Sequence, residues 1–276
     1  MTPKLFHIFR NTPLGRESLL QSLYFCKTVG CIPEIYIPES TRFLMYFEND
    51  VTQVDLDSSY LTAPETSRTH AESLVSDFGL MADFLTPKNF TAHGLPDIPT
   101  LFDFMCCPRS ISDLSSKIGL GHIGPRVRRI VQAARFPVLI TSSVFKPWDS
   151  VTVFFGGSQN AVSALRLGLR IARLSGKPLK MHTLIEKGDA DQYRQAVADA
   201  DLQTDWERYG GEWQFFEKGS IEDNLFSVDH NALLILGAYG HGVIKDIMFG
   251  SKMERIQSIM PNNLLLAGPK YSAVNR

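Results

Sequence analysis

Gly237-Ala-Tyr-Gly240 is followed, after nine residues, by Gly250-Ser251. Gly237 and Gly240 let the backbone approach a ligand closely and take φ > 0 where a turn demands it. Gly250-Ser251 falls at the expected start of a helix, where unpaired N–H groups and the positive end of the dipole favour a phosphate. Ser251 adds a hydroxyl donor, and Lys252 or Lys245 could add charge, with His241 and Gly242 in the intervening loop. Together these residues have the chemistry of a phosphate cradle. The same residues also fit a plain Gly-rich loop with an ordinary Ser cap, because short Gly patterns recur by chance.

Other chemistry is weaker. Ser251 has His241 ten residues upstream, but no nucleophile–base constellation emerges from spacing alone. His182 reads as a core or interface histidine, and Asp229 and Asp246 as loop or surface carboxylates. Gly119-Leu-Gly121-His-Ile-Gly124 fits the dinucleotide fingerprint but lacks the strand that must precede it, and its His-Ile-Gly stands in the wrong place for a nucleotidyl-transferase signature. The cysteines Cys26, Cys31, Cys106 and Cys107 form no zinc spacing, and Cys26 holds a helical core position. Lys+Arg of 28 against Asp+Glu of 29 gives none of the basic excess of a sequence-independent nucleic-acid binder. No apolar run is long enough for a membrane helix or a secretory segment, so a cytoplasmic location is expected.

The elements that must position the Gly-rich loop alternate. Val151 to Phe155 is a β-branched and aromatic run ending at Gly156-Gly157, a strand and a tight turn. Ser158 caps a helix whose apolar face is Val162, Leu165, Leu169 and Ala172, and Gly176-Lys-Pro178 stops it. A strand over 179–185, a polar helix over 190–208, a strand over 213–216 and a short helix over 221–228 follow. Ala232 to Leu236 is continuously apolar, as a fully buried parallel strand is. A helix over 252–259 and a strand over 264–266 complete a β-α-β-α-β-α-β-α-β order, which implies a mostly parallel sheet covered on both faces.

The first half carries the same plan more faintly. Leu5 to Phe9 is strand-like, Leu19, Leu23 and Cys26 keep the spacing of Leu165, Leu169 and Ala172, and Val29-Gly30 falls where Ser175-Gly176 does. Gly124-Pro-Arg-Val-Arg-Arg-Ile130 parallels Gly250-Ser-Lys-Met-Glu-Arg-Ile256, each followed by an apolar strand, Val138 to Ile140 and Leu264 to Leu266. The pattern reads as a tandem duplication, with domains at 1–148 and 149–276. The surplus of the first copy is expected between Tyr46 and Pro99, an acidic stretch with an added amphipathic helix near His70 to Leu85.

Leu-Leu-Ile-Leu-Gly237-Ala-Tyr-Gly240-His-Gly, with Gly250-Ser251 downstream, resembles the universal stress protein family and its ATP-binding signature Gly-x2-Gly-x9-Gly-Ser/Thr. Met181-His-Thr-Leu184 is similar to the family's second strand, which assigns Thr183 to the adenine. The resemblance implies two tandem Rossmann-like, adenine nucleotide alpha hydrolase-like α/β domains, each with a five-stranded sheet. It also implies ATP or AMP, with Mg²⁺, as ligand. One residue departs from it. The family's first strand ends in an Asp that helps hold the nucleoside, and here Gly156 stands in its place. The loss weakens the nucleoside half of the site by about 1.5–3 kcal/mol.

In the first copy the loop position reads Cys106-Cys-Pro-Arg-Ser110 without glycine, and Pro125 replaces the Ser and removes an N–H donor. A nucleotide is therefore expected in the C-terminal domain only. Arg109, Arg126, Arg128 and Arg129 read as a solvated helix face or, less simply, as an attractor of anions. Family members pair through their last strands, so the two copies are expected to meet there as an intrachain pseudo-dimer, with a homodimer as a further option. The expected function is a nucleotide-responsive regulator in stress adaptation, not an enzyme beyond weak ATP hydrolysis. A scaffold that binds a protein partner through the acidic insertion, and a slow ATPase or nucleotide-transferring enzyme, are the alternatives.

Overall fold

The computed structural model describes residues 2–47, 50–109, 111, 123–185, 188–216, 225, 227–239 and 262–272. Its first half opens with strand β1 (Lys4–Ile8) and helix α1 (Pro13–Val29). The Thr12 hydroxyl accepts from Gly15 N–H at 3.2 Å and Pro13 takes the first turn. Leu19, Leu23 and Cys26 are buried along one stripe. The helix stops at Gly30, whose φ of 78° is left-handed and whose N–H returns to Cys26 O at 2.8 Å. Strands β2 (Ile32–Tyr36), β3 (Arg42–Phe47) and β4 (Asp50–Asp55) follow, then helix α2 (Pro64–Asp77) and strands β5 (Asp83–Leu85), β6 (Asn89–Phe90), β7 (Pro96–Pro99) and β8 (Phe104–Cys107). Helix α3 (Pro125–Ala133) and strand β9 (Val138–Ile140) close this half.

The second half repeats the opening with the same lengths. Strand β10 (Ser150–Phe154) leads to helix α4 (Gln159–Ser175), capped by the Ser158 hydroxyl on Ala161 N–H at 3.2 Å and stopped by Gly176 at φ 64°. Strand β11 (Leu179–Leu184), helices α5 (Ala190–Asp199) and α6 (Gln203–Tyr209), and strands β12 (Gly210–Phe216), β13 (Ala232–Gly237) and β14 (Leu264–Ala267) complete the described elements. The single polar helix expected over 190–208 is two, because the chain breaks at Ala200 to Leu202, with Asp201 at φ 55°. The helices expected over 221–228 and 252–259 lie wholly or largely outside the described residues.

Among the described residues, ten strands form one sheet in the order β12-β11-β10-β13-β14-β9-β8-β1-β2-β5. Within each half the strands are parallel, and counted along the chain both halves have the order 3-2-1-4-5. The halves join through one antiparallel pairing, Leu264 with Ile140, Leu265 with Leu139 and Leu266 with Val138. The last strands therefore meet, and neither is left as an open edge.

Alternation along the strands divides the core. Leu5, Cys106, Leu139, Val153, Ile235 and Leu265 pack with α1 and α4 on one face of the sheet. Ile8, Met105, Ile140, Leu236 and Leu266 pack with Val127, Ile130 and Val131 of α3 on the other. Burying one such Leu contributes about 1.5–3 kcal/mol. Both apolar clusters take residues from both halves, so the core is continuous across the seam.

Two expectations are corrected here. The helix placed at 70–85 runs over Pro64–Asp77, and Asp83–Leu85 is a strand of the large sheet, so α2 is the crossover between β2 and β5 and not an addition. The surplus is a second sheet, β4-β3-β7-β6, whose Phe43, Met45, Phe47, Val54 and Ile98 join the core. The cysteine pair is not loop either. Cys106 and Cys107 lie in β8, in register with Leu139 and Ile140, and the loop begins at Pro108.

Candidate functional site

In the second half the strand order reverses between β10 and β13, and Phe154 pairs with Leu236 at their carboxyl ends. Open α/β sheets bind ligands in the crevice at such a switch point. Gly156 leaves β10 there, exposed, and Gly237 is the last residue of β13, buried. A Cβ on Gly237 would stand 2.4 Å from the backbone O of Asn160, so only glycine lets β13 lie this close to the first turn of α4. Asn160 Nδ2 donates to Ala238 O at 2.8 Å and fixes the start of the loop. Tyr239 has φ 61°, and its hydroxyl donates across the seam to Arg128 O of α3 at 3.0 Å. Nothing in the sequence pattern pointed to Asn160 or to this Tyr239 contact.

Thr183 lies one strand over and is fully buried. Its hydroxyl donates to Phe155 O at 2.9 Å and accepts from Trp213 Nε1 at 2.9 Å, so the side chain ties three strand ends together. His182 is also buried, its ring 5.3 Å from that of Phe216 and 5.8 Å from that of Phe154. Burial pushes its pKa down to about 4 and keeps the imidazole neutral. The structure thus brings Gly156, Thr183 and Gly237 to one end of the sheet. Gly240, His241, Gly242, Gly250, Ser251 and Lys252 lie outside the described residues, as does Asp246. Asp229 forms an ion pair with Lys180 at 2.9 Å.

The equivalent end of the first half is filled by the chain itself. Arg10 leaves β1 where Gly156 leaves β10, and its guanidinium stands 3.6 Å from Asp57, with side-chain exposures of 7% and 10%. It also donates to the Ser59 hydroxyl at 3.3 Å and lies 5.4 Å from the ring centroid of buried Tyr60. Arg109 is half-buried two residues past the end of β8, not on a solvated helix face as expected. It donates to Asn262 O across the seam at 2.9 Å, and desolvation lowers its pKa to about 10. The four cysteines are buried free thiols, and among the described residues no cluster of three His, Cys, Asp or Glu could hold a metal. Among the same residues, no helix is long and apolar enough to cross a membrane.

No family model matches the chain. Over 152 residues it is 26% identical to a universal stress protein of Synechocystis, a match that covers 51% of this chain and 50% of that protein. The chain thus spans about half the length of the curated relative it matches. Among solved structures it is similar to a universal stress protein from Archaeoglobus fulgidus, with a TM-score of 0.58 at 15% identity over 96% of each chain. A functionally unknown protein from Pseudomonas aeruginosa gives a TM-score of 0.56 at 12% identity, covering 98% of this chain and 93% of that one. In fold over almost its whole length, and in sequence over about half of it, the chain is similar to universal stress proteins.

Proposed function

We propose that this protein is a tandem universal stress protein-like regulator that binds ATP or AMP at one site, in the C-terminal domain (149–276). The observation that carries this reading is Gly237, a glycine that a Cβ would fill, at the carboxyl end of β13 beside the switch point. Thr183 lines the nucleoside end and Gly156 leaves it without a carboxylate. Gly240, His241, Gly242, Gly250, Ser251 and Lys252 supply N–H, hydroxyl and ammonium donors to the phosphates, and Mg²⁺ arrives with the triphosphate. In the first domain (1–148) Arg10, Asp57 and Tyr60 take the corresponding room, which supports a single site. The role is regulatory and cytoplasmic: nucleotide shifts the protein between states of different partner affinity.

Isothermal titration of nucleotide-stripped protein with ATP and Mg²⁺ tests the proposal. One site per chain, lost in a folded Gly250→Asp variant, is the expected result. Two sites would place a nucleotide in the first domain as well, and no heat would favour a scaffold. The scaffold reading has one observation of its own. On the second sheet Tyr46 and Val51 pair directly across β3 and β4, with exposures of 42% and 50%.

A further inference from the structure

The cleft between β4 and α3 takes no part in the nucleotide reading. It is a cavity of about 280 Å³ lined by Thr52, Gln53, Val54 and Asp55 of β4 and by Pro125, Arg126, Arg129 and Ile130 of α3. Its charges are unbalanced. Asp55 stands 3.7 Å from the Arg42 guanidinium, and Asp50, further along β4, stands 3.5 Å from Lys270. Arg128, between the two lining arginines, turns away and donates to Ile123 O at 2.8 Å. Arg126 and Arg129 have no hydrogen bond or ion pair among the described residues. Side chains three apart on a helix stand about 5–6 Å apart at Cβ, so both guanidinium forks can converge on one doubly charged oxyanion.

The opposite wall adds donors. Leu56 N–H bonds to Thr41 O at 2.7 Å, which makes Thr41–Leu56 a hydrogen-bonded pair of the antiparallel ladder. By the alternation of that ladder, the backbone N–H groups of Gln53 and Asp55 point away from β3, on the free edge of β4.

We infer that this cleft binds a small phosphate-bearing anion, through residues other than those of the nucleotide reading. Arg126 and Arg129 grip the phosphoryl oxygens, and the cavity has room for more than one phosphoryl group. Phosphate is favoured over a carboxylate because two planar forks offer more donors than one carboxylate can accept.

The test is titration calorimetry at low salt with three probes: inorganic phosphate, pyrophosphate and glycerol phosphate. Pyrophosphate is expected to bind once per chain to the wild-type protein, still to bind when ATP is saturating, and to weaken about tenfold or more in the Arg126→Gln/Arg129→Gln variant. Tighter glycerol phosphate than pyrophosphate would make the ligand a phosphate monoester, and the reverse order an inorganic polyphosphate. Pyrophosphate binding that is absent, that ATP displaces, or that survives in the double variant overturns the site. So does a matching loss of ATP affinity in that variant, whereas loss of ATP binding alone, in Gly250→Asp, concerns the nucleotide reading only. Both arginines project from the surface of α3, and circular dichroism of the variant checks that the fold is kept.

Discussion

Arg10 and Gly156 occupy the same place in the two halves: each stands two residues past the end of its half's first strand. One is a buried cation held by Asp57, the other an exposed glycine with no side chain at all. Neither half carries a carboxylate at this position. Arg10 anchors the chain's own 57–60 turn in the first half, whereas Gly156 puts no side chain there in the second.

Gly156→Asp should restore the missing anchor. The φ of Gly156 is not left-handed, so an L side chain enters without backbone strain. A charge-assisted bond to the nucleoside predicts ATP affinity about tenfold or more above wild type, read by titration calorimetry. Unchanged affinity would mean that the nucleoside does not lie against this strand end.

Gly237→Ala should act through packing. Its methyl would meet Asn160 O at 2.4 Å, a backbone atom that cannot swing aside, so α4 and β13 must separate. The expected cost is about 1–3 kcal/mol. A fall in Tm of roughly 2–4 °C per kcal/mol should accompany it in a thermal scan.

Acid should destabilise the fold from the histidine range downward. Burial lowers His7 to about 3 and His182 to about 4, against 6.5 for a free imidazole. The unfolded chain therefore binds more protons below pH 6.5, and stability is lost as pH falls from there towards the folded values. Between pH 6.5 and 5 each histidine removes roughly 1.5 kcal/mol. Denaturant titrations at both pH values measure the loss, and NMR should find both imidazoles still neutral at pH 5.

The thiols should be silent in the native state. Desolvation pushes Cys31 and Cys106 up to about 12 and raises Cys26 and Cys107 well above the ordinary thiol value, so the thiolate is scarce at neutral pH. A colorimetric thiol reagent at pH 8 should label the protein only as fast as it unfolds. A rapid first thiol would point to a redox role for the Cys106–Cys107 pair.

The repeat was readable because its signals are local. Thr12 and Ser158 cap α1 and α4, Gly30 and Gly176 end them, and the apolar stripes between keep one spacing. The meeting of β9 and β14 came instead from family likeness, since three-residue apolar strands say nothing of their partners. The second sheet was missed for a related reason. Strand β3 begins before the acidic stretch and β4 lies inside it, and each buries only one face, so a surplus read as an acidic segment with one added helix did not reveal a sheet. Spacing puts Cys106 and Cys107 at the position of the Gly-rich loop, but their neighbours Leu139 and Ile140 hold them in the sheet. At the site, Gly156, Thr183 and Gly237 could be found by motif. Asn160 and the reach of Tyr239 to Arg128 could not, because each depends on how two elements dock.

The antiparallel seam has a mechanical consequence. Three residue pairs join β9 to β14, but both apolar layers run through the join, so the sheet twists as one plate. A hinge would have to tear Leu139 and Leu265 out of a common layer, which leaves torsion as the low-energy deformation. Strain set up at the end of β13 is therefore expected to reach β8 and β1 as a change of pitch, through the strands themselves.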